Sequence, residues 1–302
     1  METEEKRVST KENLHANNKH REAYDYKKLI KAYAELNDYA RRNEFGSFSI
    51  NFSDNKAVLA LNKAILISDY GIKDWDIPKG YLCPPIPGRA EYIHHIAELV
   101  ETELGKKENI KCLDIGVGAN CIYPIVGVVD YKWNFVGSDI DEKAIKSAQK
   151  VLDSNPNLKS NIELRLQDNS QNFFKGIISE DEKFDISICN PPFFTSQKDY
   201  EEANLKKNQN LGINTEAIVN SNFGGQDGEL WCLGGEKRFI KAMIKESKKY
   251  SKNISWFSCL VSNNDHLKQI NKTLEKYKAT KIKTIEMTVG HKISRFVAWS
   301  FV

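Results

Sequence analysis

The residues best equipped for chemistry close an apolar run. Phe184-Asp-Ile-Ser-Ile-Cys189 is followed at once by Asn190-Pro191-Pro192-Phe193. Two successive prolines fix φ and forbid a helix, so the pattern predicts a strand ending in a rigid turn. The side-chain oxygen of Asn190 can accept a hydrogen bond from an exocyclic amine, and the Pro191 carbonyl can take the amine's other hydrogen. A nitrogen held at both hydrogens turns pyramidal and aims its lone pair. Phe193 offers a face on which a planar base can stack. The plainer alternative is a Pro-Pro loop with a core phenylalanine.

A second group lies upstream, in Cys112-Leu-Asp-Ile-Gly-Val-Gly-Ala-Asn120. Gly116 and Gly118 allow a tight turn and a close approach of backbone to a ligand. The dinucleotide fingerprint would need a third glycine at 121, where Cys121 stands, and Asp114 precedes the turn. A carboxylate there repels a pyrophosphate and suits a cationic ligand, such as the amino-acid end of S-adenosylmethionine. Asp139 lies 25 residues beyond Asp114, at the end of the next apolar run, and can accept from both hydroxyls of a ribose. It could equally cap the following helix, a role open to Asp141 as well. Asp168, after the third such run, could meet an adenine amino group or simply serve an Asp-Asn turn. A sulfonium donor facing an oriented amine amounts to nitrogen methylation. No strong general base is required, because the product ammonium loses its proton to water.

These residues need a sheet to gather them. Strands are expected at Lys111–Ile115, Asn134–Ser138, Ile162–Leu166, Phe184–Cys189, Ile254–Val261, Lys281–Met287 and Arg295–Val302. Helices are expected in most of the gaps, notably Glu142–Leu152, Glu236–Tyr250 and Asp265–Tyr277. Such alternation predicts a doubly wound, mostly parallel α/β sheet. The short link between the last two strands permits only an antiparallel hairpin. Together these give the class I methyltransferase form of the Rossmann-like fold, with seven strands. Ahead of it, apolar spacing predicts helices over Tyr24–Arg42, Ala57–Ser68 and Ala90–Leu104, the last two closed by Gly71 and Gly105. A Pro-rich hinge at Pro84, Pro85 and Pro87 separates the second from the third. The expected organisation is a disordered tail (1–12), a small helical module (13–88) and a catalytic domain (89–302). The catalytic domain carries a long substrate loop at 194–236, rich in Asn, Gly and Lys.

With 302 residues and 40% hydrophobic content the chain can bury a sizeable core. No apolar run suggests a membrane span or secretory signal. Six cysteines without a C-x-x-C pair read as reduced thiols of a cytoplasmic protein, with no metal knuckle. Nothing demands more than a monomer. The net charge of +3 conceals an asymmetry, since residues 236–302 hold 15 Lys/Arg against 5 Asp/Glu. A smaller basic concentration spans Lys11–Lys31. An anionic partner and solvated lysine-rich helix faces both account for this.

The strings PPIPGRAEYIHH, LDIGVGANCIYPIVG, CNPPFF, NFGGQDGELWCLGGE and SRFVAWSF resemble the RlmF family of bacterial ribosomal large-subunit RNA adenine-N6 methyltransferases. More loosely they resemble eukaryotic methyltransferase-like proteins acting on adenine in small nuclear RNA. The resemblance runs from about Leu14 to the C-terminus. It implies S-adenosylmethionine contacts at Arg89, Gly116, Asn120, Asp139 and Asn190, with Arg89 on the carboxylate. It implies an RNA-contacting region around Lys19-His20-Arg21, beside Tyr24 and Tyr26, where cations suit phosphates and aromatics suit bases. Lys198, Lys206 and Lys207 would face phosphate from the long loop. Trp231, His94 and His95 are expected to be structural. NPPF alone is shared with guanine-N2 and protein-glutamine methyltransferases. Those activities, and a non-catalytic RNA-binding module, are the alternatives.

Overall fold

A computed structural model describes residues 13–43, 46–196, 198–199, 232–289 and 292–302. The expected tail at 1–12, most of the 194–236 segment, Lys206, Lys207 and Trp231 fall outside the described residues. The N-terminal region contains α1 (Tyr26–Ala32), the small hairpin β1 (Arg41–Arg42) and β2 (Phe48–Ser49), and α2 (Asn55–Tyr70). Asp25 and Asp54 cap the two helices, and α2 ends on Gly71 with φ of 65°. The expected helix over 24–42 is not one continuous helix. Tyr33 takes an extended conformation and the chain continues as one 3-10 stretch, Ala34–Asp38, before the hairpin. Apolar spacing placed the buried side chains correctly without requiring one unbroken helix.

Helix α3 (Ile86–Leu104) begins inside the Pro-rich hinge, with Pro at its first turn, and ends on Gly105. Strands and helices then alternate: β3 (Lys111–Ile115), α4 (Ile122–Tyr131), β4 (Asn134–Asp139), α5 (Glu142–Ser154), α6 (Pro156–Lys159), β5 (Ile162–Leu166) and β6 (Phe184–Cys189). After the undescribed segment come α7 (Gly235–Ser247), β7 (Ile254–Val261), α8 (Leu267–Lys276), β8 (Lys281–Val289) and β9 (Lys292–Ser300).

The sheet order is β5-β4-β3-β6-β7-β9-β8, parallel through β7 and antiparallel for the last two pairings. The chain winds outward from β3 in one direction and then returns from β6 in the other. A crevice therefore opens at the carboxyl ends of β3 and β6, the switch point where such sheets bind ligands.

Alternation along each strand divides the interior into two layers. Cys112, Ile186 and Trp256 join a core with α3, α4 and α5, whereas Leu113, Phe257 and Trp299 join one with α7 and α8. The first core also takes in Leu29, Leu36, Ile65 and Trp75, so residues 13–88 pack into the same apolar mass as the sheet.

Candidate functional site

A cavity of about 470 Å³ occupies the switch point. Its floor is the turn after β3. Gly116 and Gly118 take φ of 77° and 67°, a region open to glycine and strained for other residues. The N–H groups of Gly116 and Val117 both donate to the Ser138 carbonyl at 2.9 Å, tying this turn to the end of β4. Close approach is enforced at Gly137, where a Cβ would lie 2.8 Å from Val117 Cγ2.

Asp139 ends β4 and lines the cavity. One carboxylate oxygen accepts from the Gly118 N–H at 2.9 Å and the other from the Asp141 N–H at 3.0 Å. Burial holds its pKa above the ordinary range, and those backbone donors oppose the shift. Each oxygen keeps a second lone pair for a hydroxyl. The cap of α5 is Asp141, through the Lys143 N–H, so Asp139 is spared that duty. The other oxygen of Asp141 accepts from Tyr81, which fixes the preceding hinge.

Asp114 is fully buried on β3, and neither carboxylate oxygen has a partner among the described residues. Burial pushes its pKa well up, nearby Asp139 adds to the shift, and Arg89 opposes it. Arg89, in the first turn of α3, donates to the Tyr123 hydroxyl at 2.7 Å and lies over that ring. Both residues line the cavity, with Asn120. Asn120 accepts the Ile122 N–H at 3.0 Å, and its carbonyl accepts the Trp75 indole N–H at 2.8 Å.

Asn190 follows β6 at the cavity wall, half-buried, with an unpartnered and buried side-chain oxygen. Pro192 lines the cavity beside it. Pro191 is buried and Phe193 half-buried, both outside the lining.

Several expected residues stand elsewhere. Asp168 is exposed and absent from the lining; its neighbour Gln167 lines the cavity instead. Gln167 continues the ladder past β5, its N–H donating to the Asp139 carbonyl at 2.8 Å. Strand alternation past Leu166 was the available signal. His20, expected to contact RNA, is 1% exposed and its Nε2 bonds the Tyr70 hydroxyl at 2.9 Å. Lys19 pairs with Asp130 at 2.6 Å and sits over the Tyr70 ring. Both serve the fold, because the N-terminal segment docks here against α2 and α4. Arg21 stands next to them, half-buried. His94 and His95 are structural as expected, on Tyr131 and Glu91.

Sequence reasoning missed the far wall, Ser170, Asn172, Phe173 and Phe239. Phe173 and Phe239 stack edge to face at 4.9 Å across 66 residues of chain, a pairing set by tertiary packing alone. His15, His95 and Glu98 bring ligand-type atoms within 4.8 Å of one another. The Asn17 N–H donates to His15 Nδ1, which leaves the proton of the neutral ring on the nitrogen facing Glu98. His15 Nε2 and His95 Nδ1 lie 3.5 and 3.8 Å from the Glu98 carboxylate, ion-pair spacings.

A family model described as RNA methyltransferase matches residues 8–302. The chain belongs to that RNA methyltransferase family. It is 47% identical to the ribosomal RNA large subunit methyltransferase F of Vibrio vulnificus strain CMCP6, over 97% of this chain and 85% of that one. The catalytic domain of hMettl16 in complex with MAT2A 3′UTR hairpin 1 superposes with a TM-score of 0.81, at 30% identity and 96% coverage of each chain. The N-terminal domain of human METTL16 in complex with SAH gives 0.76 at 27% identity, covering 96% of this chain and 99% of that one.

The methyl donor of this family member is S-adenosylmethionine. The residues present fit it on their own chemistry. Asn190 presents a buried acceptor without a protein partner, suited to an amine, and Asp139 retains lone pairs for hydroxyls. Asp114 is likewise unpartnered among the described residues but lies outside the cavity lining. The guanidinium of Arg89 suits a carboxylate. Among the described residues no helix is long and apolar enough to cross a membrane.

Proposed function

We propose that this chain transfers the methyl group of S-adenosylmethionine to the N6 amine of an adenine in large-subunit ribosomal RNA, acting as a monomer. The observation that carries the reading is the orphaned oxygen of Asn190, half-buried beside Pro192 at the carboxyl end of β6. In this reading Asn190 and the Pro191 carbonyl accept the two amine hydrogens, and the Pro-Pro turn keeps both acceptors rigid. The nitrogen lone pair then has one direction open to it, toward the donor. Phe193 stacks on the extruded base, where its half-buried ring is within reach of the strand end. Arg89, Asp114, Gly116, Gly118, Asn120 and Asp139 hold the donor, and Gln167 takes the adenine-side position in place of Asp168. When bound, the donor supplies an electrophilic methyl carbon.

The N-terminal segment flanks the RNA through exposed cations such as Lys27 and Lys31 of α1, in place of the engaged Lys19 and His20. The test is incubation with methyl-labelled donor and deproteinised large-subunit RNA, followed by digestion to nucleosides. Label in N6-methyladenosine is the expected result. Label in N2-methylguanosine, or in protein alone, overturns the reading.

A further inference from the structure

The lysines of α7 and α8 stand in runs of three at i,i+4. Elsewhere some lysines, such as Lys27, Lys31 and Lys150, also have no ion pair among the described residues, and others rest on carboxylates. Lys106, Lys111, Lys146 and Lys159 each rest on a carboxylate within 2.8 Å. On α7, Lys237, Lys241 and Lys245 recur every fourth residue, with Lys249 one turn beyond. On α8, Lys268, Lys272 and Lys276 do the same. All seven are exposed, and none has an ion pair among the described residues. The two helices pack against each other on the layer of Ile240, Met243, Ile270 and Leu274, which sets the two exposed stripes on neighbouring helices.

Two of the local acids are committed elsewhere, while Glu275 of α8 is exposed three residues from Lys272. Glu236 is buried, accepting from the Ser262 N–H at 2.7 Å and pairing with His266 Nδ1 at 2.5 Å. Glu246 accepts from the N–H groups of Phe173, Phe174 and Lys175. Like charges at i,i+4 work against each helix by a few tenths of a kcal/mol per pair. A merely solvated face would carry alternating signs, as α5 does with Glu142 and Lys146.

We infer that the α7–α8 face is a second RNA-docking surface, which binds the phosphate backbone of helical RNA outside the target site. It lies on the opposite side of the sheet from α3, α4 and the N-terminal segment. Its chemistry is cationic without exposed aromatics, since Phe239, Tyr250 and Tyr277 pack into the second core. That combination fits a duplex backbone and offers no platform for unstacked bases. The inference rests on RNA being the substrate class and is independent of which nucleotide is methylated.

The test compares the full chain with K241Q/K245Q/K268Q/K272Q, its fold checked by circular dichroism. Binding to deproteinised large-subunit RNA is measured by filter retention across a salt series, without methyl donor. The expected result is about tenfold weaker binding, with the log–log salt slope lower by about 0.7–0.9 for each phosphate the variant no longer neutralises. The control K146Q/K150Q on α5 should bind as the parent does. An unchanged affinity and slope in the quadruple variant would overturn the inference. So would an equal loss in the control. Because no methylation is read, failure of the adenine assignment leaves this outcome interpretable.

Discussion

Asn190 and Asp114 are buried acceptors with no protein partner, and that shared property makes opposite predictions for stability and function. Asn190→Ala should lower methyl transfer by about 10²-fold or more, because the amine loses one of its two aiming acceptors. Donor affinity, measured by calorimetry, should change far less. Equal losses in both would sink the aiming role. For Asp114 the sign runs the other way. Its carboxyl, in the donor-free protein, holds a proton well above the ordinary value of 3.8, so the native state binds protons the unfolded chain has released. The Asp114 contribution to stability should therefore fall as pH rises above about 4. Asp114→Asn should flatten that fall and raise the unfolding midpoint at neutral pH, while weakening donor binding by about 10- to 100-fold. The sequence made both residues legible, because each stands beside a proline or glycine turn that only a strand end explains. It placed the lining residue after β5 one position too far, at Asp168 where Gln167 lines the cavity, since side-chain direction past a strand end depends on how far the ladder continues. It misread His20 because a buried histidine on Tyr70 and a phosphate-binding one have the same letters around them.

Between elements, the weight falls on two close approaches. At the first, β4 meets the glycine turn at Gly137. A methyl group there would stand 2.8 Å from Val117 and 3.1 Å from Leu164 Cδ2. Gly137→Ala should cost about 1–3 kcal/mol of stability and weaken donor binding together, since Val117 belongs to the cavity floor. Denaturant melts and calorimetry on the same preparation test the coupling. At the second, the N-terminal segment lies against α3. Glu91 is buried there. Burial pushes its pKa up, but His95, Asn18 and the His15 N–H outweigh that and hold it below the ordinary range. Burial, helped by neighbouring His15, lowers His94 to about 4. A histidine depressed in the native state contributes stability fully above pH 6.5 and loses it as pH falls toward 4. The His94 contribution should therefore be lost on acidification from pH 7 to 5, and His94→Gln should differ from the parent by about one proton in the pH dependence of the unfolding midpoint. A variant with an unchanged pH slope would assign the loss to other groups. Strand positions were read closely from apolar runs, and helix ends at Gly71 and Gly105 from glycine alone. The 24–42 region was not, because 3-10 and α stretches bury the same spacing over two turns.

For the whole molecule, sequence division and physical division differ. A Pro-rich hinge and a shift in pattern marked a boundary near residue 88, yet α3 begins at Ile86 and runs across it. Leu29, Leu36 and Ile65 share one apolar mass with Ile93 and Val126, a union of distant segments that no local pattern carries. Charge asymmetry was legible as a count, but only the packing of α7 on α8 set its two stripes on neighbouring helices. The joint core sets a final expectation for a chain that begins at residue 51. Such a chain loses Tyr26, Leu29, Leu36 and Ile50, each of which removes about 1.5–3 kcal/mol of burial before the entropy of ordering is returned. Its unfolding midpoint should drop by about 5 °C or more. The cavity lining starts at Leu82, so the deleted segment touches none of it. Donor affinity should therefore stay within about twofold. Affinity for ribosomal RNA should fall only partly, because the α7–α8 face is untouched. Melting, calorimetry and filter binding on the one truncated chain separate these outcomes. A full loss of RNA binding would place the whole docking surface on the N-terminal side of the sheet.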